Sequence, residues 1–151
     1  MKTAVIALII SAATLTGCGT FKTNQVSLDT AIPVPKDRVF AFQEQKPGTV
    51  PVEVVRDTGA LGSACYLAIG AKNTLIARLD TGEVVRFFIE PGPQSLSVLF
   101  DPMGKGLCGA NQYLSDPVVE KHTIKEVGVT RFRLSSRMYR RPELEEYEKA
   151  E

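Results

Sequence analysis

The chain has 151 residues, with 18 lysines and arginines against 17 aspartates and glutamates, one histidine and a formal net charge of +1. That balance excludes the strongly basic footprint of a nucleic-acid binder, and the length suits one domain with a real core. No apolar run approaches the ~20 residues that a bilayer span requires.

Residues 1–17 have the three-part layout of a secretory signal. Lys2 supplies the charged start, residues 4–13 are apolar apart from Ser11, and small and polar residues follow from Thr14. The four residues Leu15-Thr16-Gly17-Cys18 then close this run. They resemble the lipobox of bacterial lipoproteins. The resemblance implies cleavage just before Cys18 and a diacylglyceryl thioether on its sulfur. It also implies a chain anchored to a membrane rather than spanning one. In that family an aspartate after the cysteine retains the protein in the inner membrane. Gly19 stands at that place here, so the expected location is the outer membrane, on its periplasmic face.

The chain has three cysteines. With Cys18 used for lipid, Cys65 and Cys108 remain in an oxidising compartment, and a disulfide is expected. It closes a loop of about 44 residues, for which chain entropy gives ~4 kcal/mol. The rival readings are two free thiols, or a catalytic cysteine paired with His122. The second lacks any local activating signature.

Residues 18–34 are polar and end at Pro33 and Pro35. They read as a lipidated tether, with an edge strand in "QVSLDTAI" as the alternative. A β-pattern occupies 35–141. Residues 38–43 are expected as a strand with Phe40 and Phe42 on one face, and 51–56 as a β-branched strand. Residues 65–69, 74–79 and 84–89 read as a three-strand meander, its last turn made by "DTGE". A strand at 95–100 follows the break "EPGPQ". Residues 101–114 are Gly-rich and irregular around Cys108. Strands are expected at 118–125 and 129–134, and a last one at 137–141. Residues 142–151 form an acidic tail, expected as a short helix with Pro142 in its first turn. Many short strands separated by turn residues define an all-β domain, an antiparallel β-sandwich or a small barrel.

Residues 35–134 also resemble small Gram-negative lipoproteins with a PEGA-like β-sandwich. The stretches that carry this are "PKDRVFAF", "GSACYLAI", "IARLDTGEVVRFFIEPGPQSLSV" and "HTIKEVGVTRFRLSS". Leu79, Gly82, Pro91 and Gly92 match the turn positions of that pattern. The first hairpin departs from it, with "GAKN" where the family has Asp-Gly or Asn-Gly. The resemblance implies a fold and brings no catalytic residue or ligand.

Among motifs, "RFRLSSRMYRR" is locally basic, with Arg131, Arg133, Arg137, Arg140 and Arg141. It either grips anionic glycan or lipid headgroups or pairs with the acidic tail. That tail carries Glu143, Glu145, Glu146, Glu148 and Glu151, which read as a solvated face. "GKGLCGAN" lacks the spacing of a P-loop, Ser63 lacks a nucleophile-elbow frame, and no residue set has metal-ligand spacing. The expected function is a non-enzymatic envelope lipoprotein, a structural or accessory binding module with no cofactor. Its partners are the membrane, through the lipid, and an envelope protein. The alternative is an inhibitor of a secreted hydrolase such as lysozyme, with "DPMGKGLCGANQ" as the inserted loop.

Overall fold

A computed structural model describes residues 23–60, 62–103, 108, 116–137 and 140–148. The expected signal segment, Cys18, Gly19 and most of the loop around Cys108 lie outside the described residues.

Among the described residues nine strands build two sheets: β1 (Ile32–Pro33), β2 (Val50–Arg56), β3 (Leu67–Ala71), β4 (Thr74–Leu79), β5 (Glu83–Ile89), β6 (Gly92–Phe100), β7 (Val118–Ile124), β8 (Thr130–Ser135) and β9 (Glu143–Glu146). One sheet has the order β1-β5-β2-β8-β9 and the other β4-β3-β6-β7. The fold is an all-β sandwich and not a closed barrel. Alternation explains the layering. In β5, Glu83, Val85, Phe87 and Ile89 are buried while Arg86 faces solvent. In β8, Thr130, Phe132 and Leu134 turn inward. Phe87, Ile69, Ile76, Leu96 and Leu134 form the fully buried centre, each contributing ~1.5–3 kcal/mol by leaving water.

The expected strands at 51–56, 74–79, 84–89, 118–125 and 129–134 are present within a residue or two of those limits. Other expectations need correction. The sheets are not wholly antiparallel, because β1 pairs parallel with β5 and β2 pairs parallel with β8. The meander is only a β3–β4 hairpin, since β5 belongs to the other sheet. The turn after β4 makes that transfer. Gly82, at φ +76, donates its N–H to the Arg56 carbonyl at 3.1 Å, which directs the chain onto β2. The positive φ is the one glycine adopts freely.

Residues 38–43 are not a strand. A 3₁₀ turn at Lys36–Arg38 leads into an irregular strap. Of the strand expected at 137–141, residues 138 and 139 lie outside the described residues, while Arg140 and Arg141 are not in a strand and the Arg140 N–H donates to the Arg137 carbonyl at 3.2 Å. The tail is not a helix at its described start, because Glu143–Glu146 is strand β9, antiparallel to β8. The reason is charge and period two. Leu144 is 3% exposed and pairs with Leu134. Glu143 and Glu145 point the other way, within 3.2 Å and 3.4 Å of Arg137, and Glu145 lies 3.5 Å from Arg133.

Residues 23–34, expected in the tether, run along the five-stranded sheet. Thr23 is buried, donates its N–H to the Ser136 carbonyl and its hydroxyl to Asp57 at 2.8 Å. Asn24 bridges Thr58, and Ile32–Pro33 forms β1. In the β3–β4 hairpin, Lys72 and Asn73 have φ of 51° and 58°. Two positive central φ values are those of a type I′ turn, here without a glycine.

Candidate functional site

The strap from Val39 to Thr49 closes the side of the sandwich where β4 and β5 lie at or near their sheet edges. Three backbone contacts hold it: Val39 bridges Ala77, Phe40 N–H donates to the Ile76 carbonyl, and Phe88 N–H donates to the Phe42 carbonyl, the last two at 2.8 Å. At its start, Arg38 forms a fork on Glu83 and donates to the Arg78 carbonyl at 3.0 Å. Its guanidinium also lies 4.7 Å from the centre of the Tyr66 ring. The Glu83 hydrogen bond keeps Arg38 protonated beyond its ordinary range, against the opposing effect of burial.

Between strap and sheet lies a groove of about 590 Å³, lined by Phe40, Phe42 and Phe88 with Val39, Thr49 and Thr74, and rimmed by Glu44, Lys46 and Glu90. Phe40 is 47% exposed, and Arg78 sits 5.1 Å above its ring centre. Phe42 has φ +59. A bulky side chain in that left-handed region is strained, by about 1–3 kcal/mol. The surrounding bonds over-determine the conformation, and its effect is to hold an aromatic ring at the groove.

The expected disulfide is present. Cys65 and Cys108 are bonded, with Cα atoms 5.5 Å apart. Neither thiol is therefore available to His122. That histidine, on β7, bonds Glu120 at 3.1 Å and packs edge-on to Phe132 at 4.8 Å. Glu120 accepts the Leu144 N–H at 3.1 Å as well, so the pair ties β7 to β9. Ser63 hydroxyl donates to the Ala60 carbonyl at 3.1 Å, a turn contact.

The basic run is largely neutralised within the fold, by the tail only at Arg133 and Arg137 and otherwise by carboxylates elsewhere. Arg133 pairs with Asp57, Arg131 with Glu53 at 3.0 Å, and Arg141 with Asp116 at 3.6 Å. Arg131, Glu53 and Tyr147 floor a second hollow of about 490 Å³ beneath Ser27, Leu28 and Asp29. Sequence reasoning paired Phe40 with Phe42 but missed Phe88 and Glu90, which join the site only because β5 crosses to the other sheet. It also missed Arg56. That residue is 2% exposed and donates to the carbonyls of Cys65, Leu79 and Gly62 at 2.6–2.7 Å. Burial pushes its pKa down to about 10, against the pull of Asp80 and Glu83.

What fold and groove define is an all-β sandwich with an aromatic groove at one sheet edge. Comparison of the chain with family models, curated proteins and solved structures finds no match.

Proposed function

We propose that this chain is a lipid-anchored envelope lipoprotein, held on the periplasmic face of the outer membrane through Cys18, whose β-sandwich is a non-enzymatic binding module. The groove under the strap is its contact surface, and an extended segment of an envelope protein, carrying an apolar side chain, is its occupant. The strained Phe42 carries this reading, because strain retained at a partly exposed aromatic cluster is characteristic of ligand clamps. The strap itself supports the choice of an extended chain. It already lies along β4 and β5 through backbone hydrogen bonds to Ile76 and Phe88, the mode by which extended peptides recognise sheet edges.

A photocrosslinking residue in place of Phe40 tests the groove in intact cells, with the same residue in place of Val119 as control. The reading expects a discrete adduct from position 40 alone, with the crosslinked peptide mapping to an extended segment of one envelope protein. Equal adducts from both positions, or none from position 40, contradict it.

A further inference from the structure

We infer that one end of the sandwich is a bilayer-facing surface with lipid headgroups as its partner, and that the groove points away from the membrane. This inference rests on acylation of Cys18.

It follows from where the chain is fixed to the fold. Thr23 is fixed to the fold by its bonds to Asp57 and Ser136. The chain from residue 18 to residue 23 spans at most ~18 Å even when fully extended, at ~3.6 Å per residue. A lipid on Cys18 therefore holds this end of the domain within that distance of the headgroups. The tether expected over residues 18–34 is long enough to let any face approach the membrane, whereas a span of ~18 Å is not.

Strand register identifies what shares that end. Thr58 bridges Asn24 just past the end of β2, and Ser136 follows the end of β8. Leu67 pairs with both Leu79 and Phe100, so the start of β3 and the ends of β4 and β6 are level with one another. Arg56 joins this level to the end of β2 through the Leu79 carbonyl. Thr58, Ala60, Ser63 and Ala64 are exposed there. Met103, just beyond β6, is 77% exposed, and Arg140 is exposed in the turn after β8. An unpacked methionine and an arginine suit the boundary between acyl chains and headgroups.

The groove lies at the opposite end. Thr49 precedes β2, Glu90 follows β5 and Thr74 begins β4. The seven residues of β2 separate the two ends, a length of ~23 Å at ~3.3 Å per residue. The groove is thus presented to the periplasm, and its occupant comes from there rather than from the bilayer.

The test uses a genetically encoded fluorescent residue at Ser63, Val127 or Val119. Val127 is 85% exposed in the turn between β7 and β8, at the groove end. Val119 is exposed on β7 opposite Ser97, between the two ends. The membrane-extracted protein is reconstituted in phosphatidylethanolamine–phosphatidylglycerol vesicles containing a headgroup-attached quencher. A second sample is the chain from Cys18 coupled to a maleimide lipid, selective because Cys65 and Cys108 are bonded to each other. The expected result in both samples is several-fold stronger quenching at Ser63 than at Val127, with Val119 between them. Quenching at Val127 equal to that at Ser63, or strongest at Val119, overturns the inference. If the extracted protein carries no lipid, the acylation reading fails, and the coupled sample still decides the orientation.

Discussion

Arg56 donates to the carbonyl of Cys65 at 2.6 Å. A buried charge on β2 thereby holds the loop that carries one half of the disulfide. The same guanidinium bonds Gly62 in that loop and Leu79 at the end of β4, so one side chain joins β2, the loop and the facing sheet. Gly62 needs its own identity here, because at φ +69 a Cβ would stand 2.7 Å from the Phe100 ring.

Arg56→Met is expected to destabilise the domain by about 3 kcal/mol or more. Three buried carbonyls then lose a charged donor, and hydrogen bonds to charged groups contribute ~1.5–3 kcal/mol each. Arg56→Lys falls between, because one ammonium does not reproduce the planar fork. Urea denaturation measures both, and a loss below about 1 kcal/mol for the methionine variant contradicts the account.

Cys108→Ala removes the bond to Cys65 and is expected to cost about 2–4 kcal/mol. Membrane retention remains, since Cys18 is untouched. Native-state alkylation of the wild-type chain labels neither Cys65 nor Cys108. Full labelling of both under oxidising conditions contradicts the disulfide.

Phe42→Gly separates stability from binding. Glycine relieves the left-handed strain, ~1–3 kcal/mol, while the partly buried ring gives up core contact of comparable size. The thermal midpoint is expected to shift by only a few degrees, about what 1 kcal/mol produces in a domain of this size. The adduct from position 40 is lost. A stable Phe42→Gly variant that still forms the adduct contradicts the role given to the ring.

Lys72 lies 2.5 Å from Glu90 at the groove rim and holds that carboxyl below its ordinary value of 4.5. A depressed carboxylate contributes stability above its unfolded pKa and loses it as pH falls through the folded one. The pair is exposed, so its contribution to stability is small and screened by salt. An NMR titration of Glu90 is expected to give a midpoint below 4.5 that rises in Lys72→Ala. A Glu90 midpoint unchanged by that substitution removes Lys72 as the cause.

Much of the sandwich was legible because its strands alternate. In β5 and β8 the buried and exposed residues are read directly from the sequence, and Gly82 and Pro91 mark where strands stop. Sheet membership was not legible. Nothing local in "DTGE" says that β4 and β5 part into different sheets, since the deciding contact is the Arg56 carbonyl, 26 positions away from Gly82 in sequence. The tail shows the same limit. Its glutamates satisfy a helix as well as a strand, and the strand is favoured by Leu134 opposite Leu144 together with Arg133 and Arg137 beside the glutamates. Of the site, Phe40 and Phe42 were paired correctly for a strand that does not form. They share the groove because Ile76 and Phe88 hold the first part of the strap, at Phe40 and Phe42, against β4 and β5.

Membrane retention of a Cys18→Ser variant, with palmitate labelling of both proteins in growing cells, tests the central claim most directly. The account predicts that the wild-type chain incorporates palmitate and sediments with outer membranes. The variant incorporates none and is released. A variant that still sediments with outer membranes and still takes up palmitate contradicts it.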